Sequence, residues 1–94
     1  MNYVYIIECA DGTYYTGWTN DLEKRIKMHS NGSGAKYTRG RGPVRLVYHE
    51  EFYDKKEAMK REYRIKKLTR KEKEDLVRIY GIQSMTLKPM QKND

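Results

Sequence analysis

The sequence predicts an α+β domain: a small three-stranded antiparallel sheet flanked by helices, with the element order β-β-α-β-α-α. Three observations support this prediction. Residues 3–9 and 13–18 are two runs rich in aromatic and β-branched residues, and the turn segment between them is typical of a hairpin. A third run of this kind, residues 44–52, follows a proline. Three pairs of capping residues, each spaced three positions apart, mark the starts of three helices.

The length of the hairpin loop decides which tyrosines share a face of the sheet. A two-residue Asp11-Gly12 loop pairs Tyr5 with Trp18, whereas a three-residue loop with Gly12 in the left-handed conformation pairs Tyr5 with Gly17. Side chains alternate along a strand, so only the three-residue loop places Tyr5 and Tyr15 on one face. Both registers are compatible with the local sequence.

The first helix is predicted over about residues 21–30. Asn20 and Glu23 resemble a capping box, and Asn31-Gly32 is a stop signal. The apolar side of this helix consists of Leu22, Ile26 and His29.

Residues 31–42 are predicted to form a loop that leads, through Pro43, into the third strand. The loop has four glycines and three basic residues, Lys36, Arg39 and Arg41. Alternation along the strand predicts one face made of Val44, Leu46 and Tyr48.

Two more helices are predicted, over about residues 55–68 and 70–80, with Gly81 ending the second. Their capping pairs are Asp54 with Glu57 and Thr69 with Glu72. We therefore expect one domain over residues 1–81, followed by a C-terminal tail over residues 82–94.

Length and composition exclude several classes of protein. The chain has 94 residues, of which 37% are hydrophobic and 35% charged, so we expect one compact core. The longest apolar run, residues 3–7, is far shorter than the roughly 20 residues of a membrane helix. Cys9 is the single cysteine, so no internal disulfide forms, and with His29 and His49 it does not make up a zinc site. We expect a cytoplasmic protein without membrane contact.

The formal net charge of +7 suggests a polyanionic partner, most often nucleic acid. Residues 1–50 have 7 basic and 5 acidic residues, whereas residues 51–94 have 13 and 8, so most of the excess lies in the second half.

Glu62 is the residue that packing explains least. It lies between Ala58 and Ile65 in the apolar stripe of its predicted helix. A carboxylate there must be paired, hydrated in a cleft or bound to a metal ion. A buried ion pair with a lysine or arginine is the alternative to a functional role.

Arg25 and His29 lie one turn apart on the first helix and project together, so either can contact phosphate. Taken alone, they are also compatible with a solvated helix face and a favourable helix end. Tyr5 and Tyr15, taken alone, are compatible with ordinary sheet packing.

Together these residues resemble the GIY-YIG nuclease superfamily, in particular its short stand-alone bacterial members. Tyr3-Val4-Tyr5 and Tyr15-Thr16-Gly17 correspond to the two triplets that give the family its name, and they are nine residues apart. Arg25, His29 and Glu62 follow at the family's spacing. The resemblance covers roughly residues 1–80, and further similarity lies at Gly32, Gly34-Ala35, Thr38 and Pro43.

The resemblance implies the GIY-YIG fold and a metal-dependent endonuclease that hydrolyses phosphodiester bonds, in DNA more than in RNA. Glu62 would hold Mg²⁺ or Mn²⁺, and Tyr5 would act as general base or orient the attacking water. Arg25 would stabilise the phosphorus centre. The resemblance requires the three-residue hairpin loop and a Glu62 that meets the face carrying the tyrosines. The other implied site residues are Tyr15 and His29 for catalysis, and Gly17, Lys36, Arg39, Arg41 and Lys66 for nucleic-acid binding.

Two departures from the family pattern leave an alternative open. Tyr3 replaces the first glycine, and no asparagine occurs between Tyr63 and Lys92, where several members have one. The alternative is a nucleic-acid-binding module that does not cleave without a protein partner. Such a partner would also supply substrate specificity.

Overall fold

The computed structural model describes residues 1–80 and contains a three-stranded antiparallel sheet with helices packed against it. The strands are β1 (Asn2–Glu8), β2 (Tyr14–Thr19) and β3 (Arg45–Phe52). The helices are α1 (Leu22–Ser30), a 3₁₀ turn (Lys36–Thr38) and α2 (Lys55–Lys66). Residues 70–80 are also helical and are called α3 below. The predicted α+β class and element order are confirmed, whereas Gly81 and the predicted tail lie outside the described residues.

Strand β1 is central, because the sheet order is β2-β1-β3. The hairpin pairs Tyr5 with Gly17 and Ile7 with Tyr15, which is the three-residue-loop register. Gly12 has a φ of +84°, and its N–H donates to the Cys9 carbonyl across the turn. The left-handed glycine closes the loop without strain and places Tyr5 and Tyr15 on one face.

The other face of β1 packs the hydrophobic core. Val4 and Ile6 are fully buried there against Ala58 and Ile65 of α2. This face, which also carries Thr16 and Tyr48, is called the core face, and the face with Tyr5, Tyr15 and Gly17 is called the α1 face. The remaining side chains packed on the core cluster include Tyr14, Trp18, Phe52, Leu68, Leu76, Val77 and Tyr80.

A β-bulge changes the predicted pattern of the third strand. Ile6 pairs with Tyr48 but Ile7 pairs with Leu46, so Val47 is an extra residue. Leu46 therefore faces α1, while Val47 and Tyr48 join the core cluster. The prediction that Val44, Leu46 and Tyr48 share one face is wrong, because it assumed unbroken alternation.

The helix caps agree with the sequence in two of three cases. Asp54 accepts from the Lys56 N–H, and Thr69 and Glu72 exchange both bonds of a capping box. At α1 the cap is Asp21, whose side chain accepts from the Lys24 N–H at 3.2 Å, and not Asn20 as predicted. Among residues 1–80, no helix has the length and apolar character that crossing a bilayer requires.

Candidate active site

A hydrogen bond between Tyr5 and His29 forms the centre of the α1 face. The Tyr5 hydroxyl oxygen lies 2.7 Å from His29 Nε2, and both side chains are almost fully buried. Tyr5 comes from the central strand and His29 from the last turn of α1. The sheet and the helix therefore meet through a polar contact between two groups that can exchange a proton.

The other ring nitrogen of His29 is held by the loop that follows α1. His29 Nδ1 lies 2.8 Å from the hydroxyl of Thr38, which itself donates to the Ala35 carbonyl at 2.9 Å. Gly34 is pressed against the ring, since an added Cβ would lie 2.5 Å from Nδ1. The 3₁₀ turn thus fixes the orientation of the imidazole.

Tyr15 and Gly17 complete the surroundings of the Tyr5 hydroxyl. The ring centroids of Tyr15 and His29 are 5.2 Å apart. A Cβ on Gly17 would lie 2.5 Å from the Tyr5 hydroxyl oxygen and 3.2 Å from the Tyr15 ring. Only glycine at this position lets the Tyr5 ring lie across β2, so Gly17 is required by close approach.

Burial and neighbouring charge oppose one another at Tyr5. Burial raises the pKa of Tyr5 well above its usual range, and the proximity of Tyr15 raises it further. Arg25 lowers this pKa through its positive charge and through hydrogen bonding, while the charge of Glu62 raises it. The pKa of His29 is lowered, mainly by burial and then by the charge of Arg25. At neutral pH, Tyr5 is therefore a phenol and His29 a neutral imidazole.

Glu62 is close enough to act on Tyr5, but its helix lies on the other side of the sheet. Its neighbours along the stripe of α2, Ala58 and Ile65, pack on the core face. The helix that carries Glu62 therefore covers the core face, while the charge of Glu62 acts on Tyr5 of the α1 face.

The Glu62 carboxylate is neither deeply buried nor strongly paired. Its side chain is 18% exposed, and its ion pair with Lys66, one turn further on, spans 3.5 Å. Glu62 therefore only partly fits the alternative interpretation, a buried ion pair, because its partner Lys66 is half exposed. No group of three His, Cys, Asp or Glu side chains within residues 1–80 could hold a metal ion by itself.

The predicted nucleic-acid-binding loop has three cationic side chains, of which two have no ion-pair partner within residues 1–80 and one forms an ion pair. Lys36 and Arg39 are exposed and have no ion-pair partner within residues 1–80. Arg41 forms an ion pair with Asp11, and its guanidinium carbon lies 4.5 Å from the ring centroid of Tyr37. Arg41 therefore ties the loop to the hairpin as well as adding charge.

Sequence reasoning assigned no role to Thr38 or Tyr37. Thr38 is fully buried against His29, and Tyr37 stacks on Tyr15 with ring centroids 5.8 Å apart. The available signal was the similarity of Thr38 to the family, but similarity alone does not name the atom that a hydroxyl contacts.

Comparisons with known proteins identify the family. Residues 1–75 match the family described as GIY-YIG catalytic domain. Over 77 residues the chain is 69% identical to the UPF0213 protein CPE1444 of Clostridium perfringens. The matched segment covers 82% of this chain and 83% of that protein. It is 60% identical over 76 residues to the UPF0213 protein VNG_2274C of Halobacterium salinarum, and this match covers 81% of this chain and 99% of that protein. The solution NMR structure of the UPF0213 protein BH0048 of Bacillus halodurans is 58% identical, covers 86% of this chain and 87% of that one, and has a TM-score of 0.57. The resemblance predicted from the sequence is confirmed.

Proposed function

This chain belongs to the GIY-YIG family of nuclease domains, and we propose that it is a divalent-metal-dependent endonuclease that hydrolyses phosphodiester bonds in DNA. One observation carries the proposal. The Tyr5 hydroxyl is hydrogen-bonded to a neutral, buried His29 and lies within the electrostatic reach of both Arg25 and Glu62. A proton acceptor thus contacts this hydroxyl, and the charges of a cation and a carboxylate act on it, a combination that suits phosphodiester hydrolysis.

The geometry supports a proton relay in which Tyr5 and His29 act in sequence. Burial keeps Tyr5 protonated at rest, so a free phenolate is not the attacking base. Instead, the Tyr5 oxygen accepts a proton from the attacking water while its own proton passes to His29 Nε2, 2.7 Å away. The water oxygen bonds to phosphorus and the bond to the leaving oxygen breaks. The leaving oxygen takes a proton from solvent, and His29 returns its proton to solvent.

Arg25 is placed to bind the phosphate under attack. Its guanidinium acts on both Tyr5 and His29, so a phosphate beside the Tyr5 hydroxyl would lie within its reach. A planar fork of donors can bind two phosphate oxygens at once and stabilise the charge that develops on them.

The Glu62 carboxylate suits a hard divalent cation whose coordination would be completed by the substrate. A partly exposed carboxylate with one weak partner suits Mg²⁺ or Mn²⁺, which keep several waters and use few protein ligands. Phosphate oxygens would supply the remaining ligands. Such an ion provides Lewis-acid stabilisation of the phosphate and of the leaving oxygen.

Basic groups beyond the site support a polyanionic substrate. The pKa of Lys73 is lowered by burial and by the charges of Lys66 and Arg70, so these three cations crowd one surface. Phosphates would relieve that repulsion. We propose that this surface and the exposed Lys36 and Arg39, with Arg41, hold the nucleic acid; the space at Gly17, predicted to be part of this contact, is filled by the Tyr5 ring.

The test is cleavage of labelled single-stranded, duplex, flap and junction DNAs, and RNA of the same sequence, with Mg²⁺ or Mn²⁺ and then with excess chelator. Glu62→Gln keeps the shape of the side chain but removes its charge. We expect it to lose about 10²-fold or more in rate. Glu57→Gln, on the same helix and exposed, is the matched control and should stay within about twofold of wild type.

The outcomes separate the proposal from its alternative. Metal-dependent cleavage that Glu62→Gln abolishes supports the nuclease. Equal cleavage by wild type and Glu62→Gln contradicts the proposed site. Salt-sensitive binding to every substrate without cleavage of any favours the non-cleaving module that depends on a partner.

A further inference from the structure

Thr38 is fully buried and contacts the ring nitrogen of His29 that faces away from Tyr5. We propose that Thr38 is a positioning residue that holds His29 in the tautomer with the proton on Nδ1, so that Nε2 is free to accept the proton of Tyr5. The catalytic consequence rests on the proposed function, whereas the tautomer itself does not.

The hydrogen-bond inventory of Thr38 carries the argument. A hydroxyl has one hydrogen to donate and lone pairs with which to accept. The Ala35 carbonyl, 2.9 Å from the Thr38 oxygen, can only accept, so it takes that hydrogen. The remaining contact, 2.8 Å to His29 Nδ1, must then be donated by the imidazole. A neutral imidazole protonated at Nδ1 has its lone pair on Nε2, which is the atom that faces the Tyr5 hydroxyl.

A competing donor makes the choice of tautomer depend on Thr38. The Ala35 N–H also points at His29 Nδ1, at 3.4 Å. Acting alone, this N–H would need a lone pair on Nδ1 and would move the proton to Nε2. His29 would then donate to Tyr5 and could no longer accept its proton. The shorter contact to Thr38 therefore selects the tautomer that the relay needs, against a backbone donor that favours the other.

Close packing restricts rotation of the His29 imidazole. An added Cβ on Gly34 would lie 3.0 Å from both the Cα and the Cγ of His29. The ring is also held between Tyr5 and Tyr15, with centroid distances of 5.7 and 5.2 Å. The imidazole cannot rotate to a new partner, so a change at Thr38 must appear as a change of tautomer.

The experiment reads the imidazole nitrogens of ¹⁵N-labelled protein by long-range ¹H–¹⁵N NMR at a pH where both histidines are neutral. Wild type, Thr38→Val and Thr38→Ser are compared, with His49→Asn to assign the two rings. Valine has nearly the shape of threonine but no hydroxyl, whereas serine keeps the hydroxyl. His49, whose Nδ1 contacts the Tyr80 hydroxyl, is the internal control and should not change.

We expect the proton of His29 on Nδ1 in wild type and Thr38→Ser, and on Nε2 in Thr38→Val. We also expect Thr38→Val to lower kcat for cleavage by about 10-fold or more, because a positioned base contributes about 10²–10⁴-fold. KM should be nearly unchanged, and Thr38→Ser should restore most of the rate.

A wild-type His29 protonated at Nε2 would overturn the proposal, even if Thr38→Val failed to fold. A Thr38→Val protein that keeps the proton on Nδ1 would overturn it as well. If the tautomer shifts as expected but wild type cleaves no nucleic acid, the positioning of His29 stands and the proposed nuclease activity fails.

Discussion

The two faces of the sheet are built from alternate residues of one strand, yet they are organised by different forces. On the core face, Val4 and Ile6 pack against Ala58 and Ile65 of α2. On the α1 face, the equally buried Tyr5 contacts its helix through a hydrogen bond to His29. Apolar burial holds the first face together, whereas the second buries groups whose desolvation must be compensated by specific partners.

The difference between the two faces indicates which of them carries the functional groups of so small a domain. A protein under 100 residues gains most of its stability from one core, so burying tyrosine, histidine and threonine beside Ile7 in a second layer is costly unless these polar groups are used. The face that buries these polar groups is the one whose side chains can bind phosphate and move protons. Substitutions on the two faces should therefore have opposite signatures.

The largest effect should come from Arg25→Lys on the α1 face. Lysine keeps the charge but not the planar fork, so we expect cleavage to slow by about 10²-fold or more with little change in unfolding free energy. Single-turnover cleavage and chemical denaturation measure the two quantities. Lys27→Ala, an exposed change on the same helix, should leave the rate within about twofold. A rate in Arg25→Lys equal to that of the control would remove Arg25 from the chemistry.

Ile65→Ala should give the opposite signature on the core face. Ile65 is fully buried, so the cavity should lower the free energy of unfolding by about 2–5 kcal/mol. The rate per folded molecule should be unchanged. Urea denaturation tests the first statement, with the half-exposed Ile79→Ala as the control that loses much less. A loss of rate per folded molecule would mean that the two faces are coupled.

The pH dependence of stability should report the buried neutral His29. Arg25, Tyr5 and Tyr15 face its ring, and burial together with the charge of Arg25 lowers its pKa. The unfolded chain, with a histidine pKa of about 6.5, then binds the extra proton, so stability is full above that pH and declines as pH falls below it. The slope should be at most about 1.4 kcal/mol per pH unit.

Denaturation of wild type and His29→Gln between about pH 5 and 8 checks this slope. The variant should lose the His29 component of the slope and keep that of the carboxylates. An identical pH dependence in both proteins would show that His29 is not held neutral.

The smallest effect should be a gain in stability at Thr16. Its hydroxyl is buried on the core face and is the one buried side-chain polar atom without a hydrogen-bond partner within residues 1–80. Thr16→Val should raise the free energy of unfolding by about 1 kcal/mol, because the hydroxyl is replaced by a methyl group of similar size. The matched substitution Thr38→Val should lower it, since that hydroxyl is fully bonded. Thermal denaturation of both variants tests the pair, and a loss at Thr16 would indicate an unseen partner.

Local sequence rules predicted the parts of the fold that depend on neighbouring residues. The N-cap at Asp54 and the capping box at Thr69 act over a few residues, and these two of the three predicted caps are present. The local sequence left two hairpin registers open, and the family resemblance selected the three-residue loop that the structure has. The bulge at Val47 was not predicted, because a register shift depends on the partner strand. The local sequence also did not predict which face of the sheet α2 covers, since an amphipathic pattern does not specify that face.

The candidate site was predicted through family spacing more than through local physics. Spacing grouped Tyr5, Arg25, His29 and Glu62; in the structure His29 contacts the Tyr5 hydroxyl, and the charges of Arg25 and Glu62 act on it. It did not reveal that Thr38 contacts His29, because the contact depends on how the glycine-rich loop folds back. Nor did it reveal that Arg41 is engaged by Asp11.

The most direct test of the division between the two faces is the single-turnover cleavage rate of Tyr5→Phe beside that of Tyr3→Phe. Both variants remove one hydroxyl from the α1 face of β1, but only Tyr5 contacts His29. We predict that Tyr5→Phe slows cleavage per folded molecule by about 10²-fold or more, while Tyr3→Phe stays within about twofold of wild type. Equal rates for the two variants would contradict the account.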